Sequence, residues 1–478
     1  SNYKDIPRIE TNLIRGGMCL VVAEGLCQKA PKLWKRLGKW GKEMDLEWDF
    51  LGEFLKLKEE IHAKHSSPKK EEKEEDNSDK PKRKTPKPNN TFIMDLVAGR
   101  PILTYPMQAG GFRLRYGKNR TSGFSAAAAH SATMVVLDDF ISIGTQLKME
   151  RPGKGATITL CDTLEGPIVR LEDGNVLQLT SYEQAKKYNR QVEEILFLGD
   201  ILFNYGDFSE NGHALVPAGY CEEWWALEVE KSLKENQPKQ KELEQSINKE
   251  RLKILINKPL FNFPTLKEAY TISKLLDLPL HPKFTSYWIL SKKQEVINLL
   301  HILAQSKIVE NKTCPDSLNI KKIILPLHST NTSHQECKKT LENIGLSHTI
   351  INKESIIIEK EIAASLLLAL GIDPLKKDNS FENQIKSITN NSQSKQSFDN
   401  ALDFINTLSS FKINDKAGTF IGARMGRPEK AKMRHLTGSP QVMFPVGEEG
   451  GRLRSFQQAL KEGKIRSHFP NYYCDKCE

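Results

Sequence analysis

The chain has 478 residues and a formal net charge of +10, with 38% hydrophobic and 27% charged residues. That length exceeds what one hydrophobic core can organise, so we expect about three domains, and the positive charge favours a polyanionic partner. The sequence has neither a long apolar run nor a secretory leader pattern, which argues against membrane and secreted proteins.

The first segment, residues 1–64, is predicted to be helical because apolar residues recur at helical spacing between positions 20 and 37. The next segment, residues 65–90, is predicted to be a disordered charged insertion. From position 66 to position 90 it has no aliphatic or aromatic side chain. Such a composition cannot bury enough apolar surface to fold.

Segment 91–140 is predicted to contain a strand with one basic edge, followed by a helix. Between positions 112 and 116, apolar residues alternate with Arg113 and Arg115, and this period of two is typical of strands. We expect both arginines to line a groove for a nucleic-acid backbone, with a solvated strand face as the alternative. The run SAAAAHSATMVVLDDF that follows predicts a short, closely packed helix.

Segment 141–208 has short alternating runs broken by PGKG, EGP and EDGN turns, a pattern that predicts a small β-barrel. Three candidate nucleic-acid contacts lie at or beside the PGKG turn: Lys148, Arg151 and Lys154. Two acids near the end of the segment, Asp200 and Asp207, admit a metal site, although an Asp beside Gly more often forms a turn.

The central part of the chain is predicted to be helical and then mixed. Segment 209–317 is charged and helical, with residues 222–251 expected to form a long exposed arm. Segment 318–372 has the order strand, helix, strand, strand, helix, which predicts a compact α/β module. Segment 373–410 is predicted to be a polar linker followed by a helix.

Segment 411–445 contains five cations between Arg424 and Arg434. Within KAGTFIGARMGRPEKAKMR, residues 416–434, a β-prone run with glycines leads into a basic corner, residues 426–434, at the start of a helix-prone stretch. Glycine lets a backbone approach a ligand closely, and a helix start crowded with cations suits phosphate. A solvated basic loop is the alternative. The candidate phosphate contacts are Arg424, Arg427, Lys430, Lys432 and Arg434.

The last segment, residues 446–478, is predicted to be a connector that leads to the start of a zinc knuckle. Eight cysteines are scattered along the chain, and Cys474 and Cys477 form a Cys-x-x-Cys pair. This usage favours a reducing, cytoplasmic compartment and metal binding at the pair. Tetrahedral zinc needs two further ligands, one of which could be His468; free structural thiols are the alternative.

Several long motifs resemble the large subunit of archaeal D-family DNA polymerase. They are ETNLIRGG, AGRPILTYP, GGFRLRYG, GTQLKMERPGKGA, CDTLEGPIV, ILFLGDILFNYGDF, LPLHPKFTSYW and KAGTFIGARMGRPEKAKMRHLTGSPQVMFPVGEEGGRLRSF. The resemblance covers most of the chain outside 66–90, 230–262 and 373–400, and it concerns the family's middle portion. It implies an α+β multidomain protein with a double-psi β-barrel of the two-barrel polymerase type. The halves of that barrel would lie near 141–208 and 411–445, with helical clamp-like and KH-like α/β insertions between them.

The resemblance implies template-directed nucleotidyl transfer by a replicative DNA polymerase. The basic corner would face the primer terminus and the incoming triphosphate, with Lys430 and Lys432 stabilising phosphate charge. The implied partners are primer-template DNA, deoxynucleoside triphosphates, a small exonuclease subunit and the remaining portion of the large subunit, with a sliding clamp as a further candidate.

The family's catalytic aspartates lie in a motif like NADCDGDED, which these 478 residues lack. Two-metal phosphoryl transfer needs clustered carboxylates that hold ions about 3.5–4 Å apart. The resemblance therefore implies that Mg²⁺ is held by aspartates outside this chain, that Zn²⁺ has a partial site here, and that the chain alone is inactive. Under this interpretation it is an internal or split portion of the subunit.

Two other functions remain open from the residues alone. A non-catalytic nucleic-acid-binding scaffold would need the same basic surface and no metal. A phosphate-binding metabolic enzyme would need a Walker or dinucleotide fingerprint, and the glycine runs here do not have the strand–turn–helix context of either motif.

Overall fold

In a computed structural model the protein divides into two compact units, residues 1–430 and 431–478. The structure describes residues 30–45, 56, 86–94, 102–117, 127–138, 141–153, 155–310, 320–328, 331–374, 381, 384–385, 387–388, 398, 400–427, 449 and 456–466. In these ranges no helix is both long and apolar enough to cross a membrane. The described part of the second unit contains the helix Phe456–Glu462.

The described strands all lie in the first unit. They are β1 (Ile102–Thr104), β2 (Phe112–Tyr116), β3 (Ala127–Ala129), β4 (Gln146–Met149), β5 (Gly155–Leu160), β6 (Ile168–Leu171), β7 (Val176–Gln178), β8 (Val192–Phe197), β9 (Asp200–Phe203), β10 (Lys307–Glu310), β11 (Ile320–Pro326), β12 (Thr349–Ile351), β13 (Ser355–Glu359), β14 (Phe420–Ile421) and β15 (Ala423–Arg427).

The described helices of the first unit are distributed along its whole length. They are α1 (Ala30–Met44), α2 (Thr91–Met94), α3 (Ser131–Val136), α4 (Tyr182–Tyr188), α5 (Tyr205–Glu210), α6 (Glu222–Glu235), α7 (Gln237–Ser246), α8 (Lys249–Asn257), α9 (Leu266–Leu276), α10 (Lys293–Leu303), α11 (Thr332–Asn343), α12 (Lys360–Ala369) and α13 (Ala401–Leu408). The predicted mixed α+β class is confirmed.

The largest sheet is barrel-like and nearly closed. Its eight strands have the order β1-β15-β4-β5-β3-β9-β2-β14. Since Gly422 alone separates β14 from β15, one stretch of chain pairs with β2 through β14 and with β4 and β1 through β15. Strands β1, β2 and β3 belong to this sheet although the predicted boundaries place segment 91–140 outside the barrel. Apolar side chains such as Leu114, Leu147 and Ile201 fill its core.

The alanine run after position 126 is a strand, so the prediction of a helix there is wrong for its first half. Ala127–Ala129 pairs in parallel with β5 and antiparallel with β9. Helix α3 begins only after His130, whose ring Nδ1 accepts a hydrogen bond from the Ala132 N–H at 3.0 Å. The alanines are fully buried between two strands, and this pairing overrides their helical preference.

The other described strands form two smaller sheets. One has the order β7-β6-β8, and the other has the order β10-β11-β13-β12. Core side chains such as Ile323 and Ile358 join the second sheet to apolar residues of α10, α11, α12 and α13. The strand and helix order predicted for 318–372 is confirmed, and β10 adds a strand from the preceding segment. A β-bridge between Val176 and His348 connects the two sheets.

Residues 222–251 do not form the long exposed arm that the sequence predicts. They form α6, α7 and the start of α8, which fold back on one another and on α9 around a core that includes Trp225, Val229 and Leu243. Helix α6 ends just before Asn236, and Pro238 lies in the first turn of α7. Helix α7 in turn ends before Asn248, whose side chain caps α8 by accepting from the Glu250 N–H at 2.8 Å.

Candidate functional site

The stretch that the sequence singles out enters the barrel-like sheet through a tight backbone crossing. The Asp415 carboxylate accepts hydrogen bonds from the N–H groups of Ala417 (2.8 Å) and Gly418 (3.1 Å). Gly418 has a φ of +58°, and a Cβ there would lie 2.1 Å from the backbone nitrogen of Gly219. Glycine is therefore required at 418 both by backbone conformation and by the space between two chain segments.

A buried carboxylate holds the middle of the same stretch. Glu150, which is 1% exposed, accepts from the N–H groups of Gly422 (2.8 Å), Met107 (3.0 Å) and Asn89 (2.9 Å). Its own N–H donates to the Gly422 carbonyl at 2.8 Å. Three separate parts of the chain are thus gathered at the junction of β14 and β15. Hydrogen bonds to an ionised group are among the stronger ones in proteins.

The glycines of the stretch make room for protein atoms, which corrects the expectation that they admit a ligand. A Cβ on Gly422 would lie 2.4 Å from the Phe92 ring, and one on Gly426 would lie 2.9 Å from the Gln146 carbonyl oxygen. Both positions are therefore occupied by packing inside the first unit.

Arg113 and Arg115 lie inside the protein, so their placement corrects the prediction that they line a nucleic-acid groove. Arg113 is 3% exposed and Arg115 is 4% exposed. Arg113 binds Asp200 with both Nε (2.5 Å) and a terminal nitrogen (2.9 Å). Arg115 binds the same aspartate at 3.2 Å, and its other terminal nitrogen contacts Glu222 at 2.9 Å. Both guanidinium groups are satisfied by protein carboxylates and do not face a groove.

We call these groups the charged cluster: Arg113, Arg115, Glu165, Asp200, Glu222, Glu223 and Lys416. Its ion pairs join β2 and β9 to helix α6 and to the start of the 416–427 stretch. Burial opposes ionisation of both arginines, but the neighbouring carboxylates outweigh it and raise the pKa of each arginine well above its ordinary value.

Lys416 and Glu165 form the other end of the charged cluster. The lysine Nζ lies 3.0 Å from Glu165 Oε1, and Tyr287 donates its hydroxyl to Glu165 Oε2 at 3.3 Å. Burial alone would raise the pKa of Glu165, but the charges of Arg113 and Lys416 outweigh it and lower that pKa to about 2. Sequence reasoning missed Glu165 and Glu150. The sequence singled out Asp200 only as a possible metal ligand or turn former, whereas in the structure it lies on β9 directly opposite Arg113 on β2.

A cleft of about 200 Å³ opens beside this ion pair. Its lining combines charged and hydroxyl groups with apolar side chains from the three-stranded sheet and the α/β module. Among the lining residues are Glu165, Lys283, Ser286, Tyr287, Ser347 and Lys416.

The remaining predicted cations are spread over different environments. Lys148 is half-buried on β4, directly opposite Arg424 in the strand register. Arg151 is partly buried and donates to the Lys87 carbonyl. Arg424 is buried and donates to the carbonyls of Phe92 and Met425, which corrects its assignment as a phosphate contact. The other predicted site residues have side chains outside the described part of the structure: Lys154, Arg427, Lys430, Lys432, Arg434, Cys474 and Cys477.

Within the described ranges, no group of three or more His, Cys, Asp or Glu side chains could hold a metal ion. Asp200 is bound by two arginines, and Asp207 lies in the first turn of α5. The alternative of a metal between these two acids is therefore not supported. The cysteine pair lies outside these ranges.

Comparison with known proteins decides the family. The profile described as "DNA polymerase II large subunit DP2, central domain" matches residues 74–478, and the profile of the N-terminal part of the same subunit matches residues 1–57. The chain belongs to the family of DNA polymerase II large subunits. The resemblance seen in the motifs is thereby confirmed.

Relatives among the DNA polymerase II large subunits match over 97–100% of the chain. The protein of Nanoarchaeum equitans is 40% identical over 100% of this chain and 39% of its own length. The protein of Pyrococcus horikoshii is 37% identical over 100% of the chain and 33% of its own length. A Methanococcus maripaludis protein is 38% identical over 97% of the chain and 38% of its own length. The chain thus spans 33–39% of these DNA polymerase II large subunits.

Proposed function

We propose that this chain is the part of a replicative DNA polymerase large subunit that holds the phosphates of the primer-template and of the incoming nucleotide. The match of residues 74–478 to the central domain of DNA polymerase II large subunits carries this proposal. The geometry supports it, because the 416–427 stretch contains β14 and β15, is held by hydrogen bonds of Asp415 to Gly418 and of Glu150 to Gly422, and continues in the sequence into the basic corner.

The chemistry proposed for the basic corner is electrostatic. Lys430 and Lys432 stabilise negative charge on the triphosphate in the transition state, and Arg427 and Arg434 hold the backbone phosphates. Fixed cations of this kind lower a reaction barrier because they need no reorganisation when charge develops. Lys148, at the neighbouring strand, contacts the DNA backbone independently of sequence.

The proposed architecture is a double-psi β-barrel with a KH-like module at 318–372. Support comes from the pairing pattern, in which β2 and β9 are parallel, as are β3 and β5, while their neighbours are antiparallel. A small subunit and the remaining portion of the large subunit complete the enzyme.

The metal ions of this proposal depend on groups outside the described residues. Mg²⁺, when bound, would neutralise the charge on the attacking and leaving oxygens. The described residues offer no carboxylate cluster for it, so its ligands are proposed to lie in the rest of the enzyme. For zinc, Cys474 and Cys477 are proposed as two ligands of an incomplete knuckle.

The test is primer extension by the complete assembly of this chain, the rest of the large subunit and the small subunit. With Mg²⁺ and deoxynucleotides, Lys430→Ala and Lys432→Ala should each lower turnover about 100- to 1000-fold, more than they lower DNA affinity. Lys339→Ala, at an exposed position on α11, is the matched control and should change neither. Equal loss of turnover and affinity, or no loss, contradicts the role of that lysine.

The second candidate is a non-catalytic scaffold that binds nucleic acid, which would need the basic surface but no carboxylate cluster, and the described residues offer no such cluster. The same assembly separates the two functions. Binding of primer-template DNA without extension, in the presence of Mg²⁺ and all partners, would support the scaffold and refute the polymerase.

A further inference from the structure

Lys416 is held in the protein by both its side chain and its backbone. It is 8% exposed, and its Nζ pairs with Glu165 at 3.0 Å and donates to the Thr285 carbonyl at 3.4 Å. The ammonium group also lies 5.7 Å from the centre of the Tyr287 ring. Its own carbonyl accepts a hydrogen bond from Arg113 at 3.0 Å. The position of Lys416 is therefore determined from several directions at once.

Stability alone does not explain why charges are buried here. Removing two charges from water costs several kcal/mol, and replacing a buried ion pair with apolar groups is often neutral or stabilising. An ion pair differs from apolar packing in its directionality, because its atoms must meet at a fixed distance and angle. The charged cluster joins segments that are distant in the sequence, so what it supplies is relative position.

The segment positioned by Lys416 is the strand that leads into the basic corner. Immediately after Lys416 the chain is tied at Thr419, whose carbonyl accepts from the Leu114 N–H at 3.0 Å. Further along it is tied at Gly422 by Glu150. Strand β15 is then paired on both edges, with β1 and β4, so a displacement at its beginning cannot be absorbed by sliding at one free edge.

We propose that Lys416 is a positioning residue: its ion pair with Glu165 fixes the position of strand β15, which leads into the basic corner. The inference rests on the proposed function, since reacting groups must be held to within about 0.5 Å and a misplacement of about 1 Å lowers turnover on the order of 100-fold. Lys416 itself does not touch the nucleotide.

The test compares charge removal with charge retention in the assembled enzyme. Lys416→Met removes one of the two cations paired with the buried Glu165, the other being Arg113 at 3.4 Å, and should lower both melting temperature and turnover. The double variant Lys416→Met/Glu165→Gln removes both charges; it should recover most of the melting temperature, while turnover stays at least about tenfold below wild type. DNA affinity should be unchanged. Lys416→Arg, which keeps the ion pair, should retain turnover.

The matched control removes an ion pair that does not hold the strand. Arg170→Met/Glu342→Gln breaks a contact of 3.2 Å between the three-stranded sheet and the α/β module and should leave turnover unchanged. Three results overturn the proposal: recovery of turnover together with melting temperature in the Lys416/Glu165 double variant, failure of that variant to recover its melting temperature, or loss of turnover in Lys416→Arg as large as in Lys416→Met.

A wild-type assembly that extends no primer would refute the proposed function and leave this inference open to an independent measurement. Hydrogen exchange of backbone amides 419–425 should then be faster in the Lys416/Glu165 double variant than in wild type, while amides 320–326 of β11 are unchanged. Equal exchange at 419–425 would overturn the positioning role.

Discussion

Glu150→Gln should loosen the junction between β14 and β15. The carboxylate of Glu150 accepts N–H groups from Asn89 on one oxygen, and from Met107 and Gly422 on the other. The amide of glutamine has one accepting oxygen, so its NH₂ group must face at least one of these donors. A hydrogen bond to a charged group contributes about 1.5–3 kcal/mol, and we expect a loss of that size at the junction.

Hydrogen exchange measures this loss locally. Because about 1.4 kcal/mol corresponds to a factor of ten, the amides of Gly422 and Met107 should exchange about 10- to 100-fold faster in Glu150→Gln. Glu354→Gln, at an exposed position, is the control and should leave both rates unchanged. Unchanged exchange at Gly422 in Glu150→Gln would refute the idea that this carboxylate fixes the strand.

The remaining predictions concern packing, charge and pH. Gly418→Ala should prevent folding of the barrel-like sheet. The control Gly212→Ala, with a similar φ of +67° but open space around it, should cost about 1–2 kcal/mol of stability. Similar melting temperatures of the two variants would contradict the close approach of the backbone at Gly418 to Gly219. Arg115→Met should cost about 3–5 kcal/mol because it leaves buried carboxylates unpaired, and should leave the salt dependence of DNA binding unchanged; a shallower salt slope would mean that Arg115 contacts phosphate. His281→Gln should reduce acid sensitivity. Burial lowers the pKa of His281 from 6.5 to about 3, so the unfolded chain binds a proton that the folded chain does not, and stability falls as the pH falls between those values. Denaturation at pH 7 and at pH 4 measures how much stability is lost between these pH values. An equal loss in wild type and His281→Gln would contradict this prediction.

Protonation of Glu165 also lowers the stability of the fold at acidic pH. Its folded-state pKa of about 2 lies below the ordinary value of 4.5. The ion pairs of Glu165 therefore stabilise the fold fully above about pH 4.5, and this stabilisation is lost as the pH falls from there toward 2. Between pH 6.5 and about 4.5 only the histidine acts, and below that both groups act, so a titration of stability separates the histidine effect in the upper range.

Local patterns predicted elements well where each element follows its own periodicity. The α/β module is an example, because its strands and helices follow the order that the sequence indicates. The helical region was predicted less well. Its residues 222–251 read as one charged helix, but Pro238 and the cap at Asn248 divide it, and the buried face of α6 packs on α9 rather than facing solvent.

Motif recognition identified the family, and it did so because long motifs depend on many residues at once. The charged residues inside those motifs were harder to interpret. Positive charge predicted a phosphate-binding surface, yet Arg113, Arg115 and Arg424 are all buried and bound by protein groups. A count of cations does not reveal which of them have internal partners.

By itself, the sequence determined that the family is that of DNA polymerase II large subunits, that β2 is a strand, and that Arg113 and Arg115 share one of its faces. Only the tertiary structure decided what covers that face. The partners come from far along the chain, Asp200 from β9 and Glu222 from α6, and an alternating pattern encodes the side of a strand but not the segment packed against it. Since those contacts are non-local, the difference between a DNA-binding edge and a buried ion cluster is settled by how the chain folds.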